Sequence, residues 1–125
     1  MTVPEVIAIK QIYEPSAPED GLRVLVDRLR PRGLARKDAA FHHWLKDIGP
    51  SHKLRRWFGH QPERLEAFRM AYEAELRTPE SRALLTDLRQ KAKGFARLTL
   101  LYSARDTERN QAVVVADLLG HDADL

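Results

Sequence analysis

Apolar and polar positions change their spacing several times along the chain, and each change marks an element. Residues 5–12 (Glu-Val-Ile-Ala-Ile-Lys-Gln-Ile) are β-branched and apolar in the manner of a strand. Pro15, Pro18, Asp20 and Gly21 break that pattern into a loop. Residues 22–27 (Leu-Arg-Val-Leu-Val-Asp) form a second strand, whose nearly continuous apolar run predicts burial on both faces. Pro31 and Gly33 end it, and a short helical turn is expected near 35–39. Residues 40–46 read as a third strand, closed by Gly49 and Pro50.

The pattern then turns helical. Ser51 is placed as an N-cap, and Leu54, Trp57 and Phe58 share one apolar face of a two-turn helix. Pro62 opens a second helix with Leu65, Phe68, Tyr72 and Leu76 as its buried stripe. Thr78-Pro79 repeats the grammar of cap and first residue, and Leu84, Leu85, Leu88 and Ala92 lead to a stop at Gly94. Residues 95–102 are the last strand. Ala112, Val115, Ala116 and Leu119 line a final helix closed by Gly120. Helices between strands require crossover connections, so the expected architecture is a single compact α/β domain over 1–125. It has a mostly parallel sheet of about four strands flanked by helices.

Composition narrows the class. Hydrophobic residues at 43% and charged residues at 31% describe a folded globule. No apolar run approaches the roughly 18 residues of a membrane span. The first residues lack a signal peptide's basic and apolar regions, so a cytoplasmic location is expected. With no cysteine, disulfides, thiolate metal sites and a thiol nucleophile are excluded. The pI near 9.4 overstates the charge, because 21 basic residues face 18 acidic ones for a net +3. Distribution matters more. Arg28, Arg30, Arg32, Arg36 and Lys37 form one basic knot, and Lys53, Arg55 and Arg56 form another.

In open parallel sheets, ligands bind outside the carboxyl ends of the strands. Two loops lie there. One carries Asp27, Arg28, Arg30 and Arg32; the other carries Ser103, Arg105, Asp106, Thr107 and Asn110, just before the last helix. Arginine forks and a helix N-terminus favour an anion. Arg28, Arg32, Ser103, Arg105 and Asn110 are therefore the candidate ligand-binding residues. Asp27 and Asp106 are candidates for a general base, with a structural ion pair for Asp27 and a helix cap for Asp106 as the alternatives. Arg30 and Arg36 read as solvated surface.

The residues from Arg23 to Leu29, followed by Pro31-Arg32-Gly33, resemble the signature of domain-of-unknown-function family 488, in its short YeaO-like branch. The likeness continues through Trp44–Ile48, Leu54-Arg55, Trp57-Phe58 and His60. It resumes at Leu100-Leu101-Tyr102, at Ala104–Glu108 and at Asn110. The resemblance implies a compact α/β domain with no settled biochemical role. It also implies departures: Arg30 stands where a tryptophan is expected, Ser103 for an alanine, and Arg109 and Gln111 for two histidines. Longer relatives carry a Cys-His-Arg run at the place of Asn110, Gln111 and Ala112, so a thiol mechanism cannot operate here. A methyltransferase reading finds no support, because no strand leads into a Gly-x-Gly loop.

Neither a metal nor a cofactor is expected. The five histidines show no HxH, HxxxH or HExxH spacing, and there is no nucleophile elbow or P-loop. Trp57, Phe58, Phe68 and Tyr72 are expected in the core, while Trp44 and His60 lie at element ends beside polar neighbours. The partner expected first is a small anionic ligand carrying phosphate or a nucleotide. The alternative is a nucleic-acid-binding or regulatory module using the basic patches, whose binding would weaken with salt. No oligomeric state is legible.

Overall fold

The computed structural model describes residues 6–28, 41–59, 61–103 and 110–121. Four strands lie within them: β1 (Val6–Gln11), β2 (Leu22–Leu25), β3 (His43–Trp44) and β4 (Arg97–Tyr102). The helices are α1 (His52–Phe58), α2 (Leu65–Leu76), α3 (Pro79–Ala92) and α4 (Gln111–His121). The fold is α/β, a single compact domain around one four-stranded sheet. The order is β1-β4-β2-β3 and every pairing is parallel. The last strand in the chain thus lies between the first two.

Period-two alternation explains the two faces of the sheet. Leu22, Val24 and Val26 point to one face with Leu98, Leu100 and Tyr102, joined by Ile7 and Ile9. Residues of all four helices pack there, among them Leu54, Phe68, Tyr72, Leu85, Leu88 and Val115. On the other face, Ile12, Leu25 and Leu101 pack with Phe41 and Trp44. All four residues of β2 are buried, as its apolar run requires.

That second face also buries charge. Arg23 and Asp20, at 3% and 4% exposure, form an ion pair, with Lys10 Nζ 3.1 Å from Asp20 Oδ2. Thr99 Oγ1 donates to the Asp20 carbonyl at 2.7 Å. Burial pushes the Asp20 carboxyl up, but bonds from the Ala17 N–H, Lys10 and Arg23 outweigh it and hold the group below its ordinary range. Gly21 makes the turn into β2 at φ +67°; a Cβ there would sit 2.0 Å from the Arg97 carbonyl oxygen. Only glycine fits.

Several boundaries differ from expectation. β2 stops at Leu25 rather than residue 27, although Val26 N–H still donates to Leu101 O at 3.0 Å. The strand over 40–46 contracts to His43–Trp44, because Lys46–Ile48 closes at once into a 3-10 turn. Pro62 opens a 3-10 turn that runs into α2. The caps are as read: Ser51 Oγ accepts from Leu54 N–H at 3.1 Å, and Thr78 Oγ1 from Ser81 N–H at 3.3 Å. α4 passes Gly120 by one residue. Trp57 is 44% exposed rather than core; Leu54 and Phe58 hold the inner face of α1, and the Arg64 guanidinium lies over the indole at 5.2 Å. The turn expected near 35–39 lies outside the described residues.

Candidate functional site

The carboxyl ends of β2 and β4 meet through one side chain. Asp27 follows β2 and is 6% exposed. Its Oδ2 accepts from the Ser103 N–H at 3.1 Å and from the Ser103 hydroxyl, across 76 positions of sequence. Its Oδ1 accepts from Gln111 Nε2 on the first residue of α4. Burial pushes the Asp27 carboxyl above its ordinary value. The two Ser103 bonds, the charge of Arg55 and the Gln111 bond all pull the other way without cancelling the burial. The main chain of Asp27 is held too, since Trp44 Nε1 donates to its carbonyl at 2.6 Å.

Arg28 faces the turn that precedes α1. Its Nε donates to Pro50 O at 2.8 Å and its Nη2 to Gly49 O at 2.7 Å. Nη1 stands 4.0 Å from the exposed Asp47 carboxylate. Gly49 is required for this approach, because a Cβ on it would sit 2.7 Å from the Arg28 amide nitrogen. The same turn is fixed from α2. The Tyr72 hydroxyl donates to Ile48 O at 2.7 Å, and burial pushes that phenol far above its ordinary value. Glu75 accepts from both the Ser51 N–H (2.9 Å) and the Ser51 hydroxyl (2.6 Å). Arg28 therefore has a structural task first: it ties the end of β2 to the start of α1.

Asn110 is buried at 6% exposure and caps α4, its Oδ1 accepting from Val113 N–H at 3.2 Å. It also borders a cavity of about 410 Å³ between the starts of α2 and α4. Phe68, Val113 and Val114 give that cavity an apolar lining, and Glu63, Glu66 and Arg69 give it polar walls. Arg69 is bonded to Glu73 and Asp117. With two carboxylates against one paired arginine, this cavity does not have the charge that an anion seeks. It shares only Asn110 with the sequence-derived set.

Of the residues singled out from sequence, the structure joins Asp27 and Ser103 directly and places Arg28 beside them. Arg32, Arg105 and Asp106 lie outside the described residues, as do Arg30, Arg36 and His60. Three further participants stand outside the candidate site residues, although Trp44 is marked in the sequence as an element-end residue beside polar neighbours. Gln111 counted only as a lost histidine, yet it donates to Asp27. Arg55 counted only as part of a basic knot, yet its charge reaches the Asp27 carboxyl. Trp44 pins the Asp27 peptide. Their signal is spatial, and no spacing within either loop carries it. Among the described residues, no group of three or more His, Asp or Glu side chains is gathered to hold a metal. No helix among them is long and apolar enough to cross a membrane.

Comparison with known proteins finds a matching family and several relatives. A protein-family model described as "Inactive DUF488-N3 subclade" matches residues 6–124. The uncharacterized protein YeaO of Escherichia coli is 43% identical over 114 residues, covering 90% of this chain and 96% of that protein. The uncharacterized protein Rv3073c of Mycobacterium tuberculosis is 40% identical over 113 residues, covering 90% of this chain and 92% of that one. No solved structure matches.

Proposed function

The chain belongs to the DUF488 family, and on that premise we propose that it binds a small phosphate- or nucleotide-bearing anion where β2 and β4 end, and binds it without turning it over. One observation carries the reading: three separate segments converge at this rim. Asp27 is bonded by Ser103 and Gln111, Arg28 follows it in the chain, and Arg55 reaches it from α1. One arginine from each basic knot, Arg28 and Arg55, therefore lies close to the Asp27 carboxylate or its peptide. Arg32 and Arg105 enter from the sequence, since each follows one of these anchors within a few positions.

Asp27 is a positioning residue in this reading. Its oxygens are engaged by Ser103 and Gln111, which leaves it poorly placed to take a substrate proton and well placed to hold two loops in register. The absence of any thiol and the subclade's description as inactive both favour binding over catalysis. Arg55 is exposed, so its truncation tests binding with little structural cost. Thermal shift with inorganic phosphate, nucleotides and sugar phosphates should raise the Tm of the wild type, and less so that of Arg55→Ala and Arg32→Ala. Failure of every anion to stabilise the wild type, or equal stabilisation of all three proteins, overturns the proposal.

A second reading has its own observation. α1 exposes Lys53, Arg55, Arg56 and Trp57 together and contains no acidic residue. Cations beside an accessible indole suit a single-stranded nucleic acid. The neighbouring α2 surface carries the exposed carboxylate Glu66 and the half-buried Glu73, which ranks this reading below the first.

A further inference from the structure

The two edges of the sheet are unequal. At one edge, β3 is only His43–Trp44, short enough to offer little to another strand. At the other, β1 runs six residues, Val-Ile-Ala-Ile-Lys-Gln. Proteins blunt such edges with proline, a bulge or an outward lysine. β1 has no proline, and its register with β4 is unbroken from Val6 to Gln11. Its lone charge, Lys10, is turned onto Asp20 and the Pro15 carbonyl.

The open hydrogen-bonding groups follow from the register. Val6 N–H donates to Ala96 O and Ile12 N–H to Tyr102 O, so the even-numbered residues of this segment face β4. The odd-numbered residues face the free edge. Gln11 N–H is capped there by the Glu14 carboxylate at 3.1 Å. Ile7 and Ile9 remain, and among the described residues no strand lies beyond them. Exposed apolar residues also lie near the ends of this strand. Of five large exposed hydrophobic residues among the described ones, Val6 (43%) opens β1, Phe95 (40%) leads into its partner β4 and Tyr13 (48%) follows β1.

We propose that the β1 edge pairs antiparallel with the β1 edge of a second copy of this chain, making one continuous eight-stranded sheet about a two-fold axis. Self-pairing is what this edge fits. Placing Ile7 opposite the second copy's Ile9 lets these outward residues exchange both of their main-chain bonds, twice over by symmetry. The same register keeps core-facing side chains on one face, so the helices of both copies lie on the same side. Ala8 meets Ala8 of the other copy on the axis, where small side chains allow the close approach of about 4.5 Å in a non-hydrogen-bonded pair. Antiparallel pairing also brings the Val6 and Phe95 end of one copy to the Tyr13 end of the other. Charge does not oppose it, since Lys10 is paired with Asp20 in its own chain and in this register lies opposite Val6 rather than another charge.

Sedimentation velocity over a concentration series, combined with amide hydrogen exchange, tests this. The wild type is expected to dimerise, with Ile7 and Ile9 amides protected at high concentration and exchanging faster on dilution. Ile9→Pro removes an outward N–H without touching a β4 bond, and Ala8→Glu sets two carboxylates against each other on the axis. Both variants should be monomeric, their folding checked by circular dichroism. A wild type that stays monomeric up to the millimolar range, or a dimer in which Ile7 and Ile9 exchange as fast as in the monomer, overturns the proposal. So does a dimer that survives both substitutions. The exchange measurement decides even where a variant fails to fold.

Discussion

Asp27 is a buried acid whose surroundings disagree about its proton. Desolvation favours the neutral form, while Ser103, Arg55 and Gln111 favour the anion, and desolvation prevails. Its folded pKa therefore lies above the unfolded value of about 3.9. Stability from its protonation is fully present below that unfolded value and is lost as pH rises through the folded one. Asp27→Asn abolishes this titration. In urea unfolding, the stability of the wild type relative to Asp27→Asn should fall as pH rises from below about 4 toward neutrality. A difference that stays level with pH, or grows, contradicts the assignment. At this scale the sequence was half legible. Asp27 and Ser103 were both visible as strand-end residues, but their bond was not, because 76 positions separate them. Gln111 could be read only by what it replaces.

Elements were the most legible level, because their signals are local. Ser51 and Thr78 cap helices as their neighbours imply, and the stripes of α2 and α3 face inward at Phe68, Tyr72, Leu76, Leu85 and Leu88. Errors fell where tertiary contact overrides pattern. Trp57 satisfies helical spacing, but on so short a helix Leu54 and Phe58 already fill the inner face. The turn after β3 was hidden because its supports come from afar: Tyr72, Glu75 and Arg28 all bond to residues 48–51. Gly21 is the sharpest constraint on any element boundary. Gly21→Ala must both hold a positive φ and clear the Arg97 carbonyl, so it should cost about 2 kcal/mol or more. A fall in Tm of about 5 °C or more is expected. An unchanged melting temperature would mean that the turn can be rebuilt without the sheet noticing.

For the whole molecule, the near balance of 21 basic and 18 acidic residues hides a separation in space. The helix beside the Asp27 rim carries only basic charges, while Lys10 and Arg23 share the Asp20 carboxylate on the second face of the sheet. Long polyanions and small anions would feel this differently. If α1 engages nucleic acid, the affinity of a short single-stranded oligonucleotide should fall as salt is raised, by about 20-fold between 50 and 200 mM for contacts from its three cations. Lys53→Ala should flatten that slope. Absence of any gel shift at low salt removes the nucleic-acid reading and leaves small-anion binding in place. The mostly parallel α/β architecture was legible from the alternation of strands and helices. The order of strands was not, because periodicity says which residues face inward and nothing about which strand sits beside which.

That order also bears on how the molecule comes into being. β1 and β2 are translated before β4, yet they are not neighbours in the sheet; among the described strands β1 pairs with β4 alone, at residues 97–102, and β2 has only the two-residue β3 until β4 arrives. A nascent chain therefore carries β1 unmatched and β2 held only at Val24 and Leu25 through most of its synthesis, and the sheet closes only when its keystone arrives. Helices α1 to α3 are translated in the interval and can shelter Leu22, Val24 and Ile9 until then.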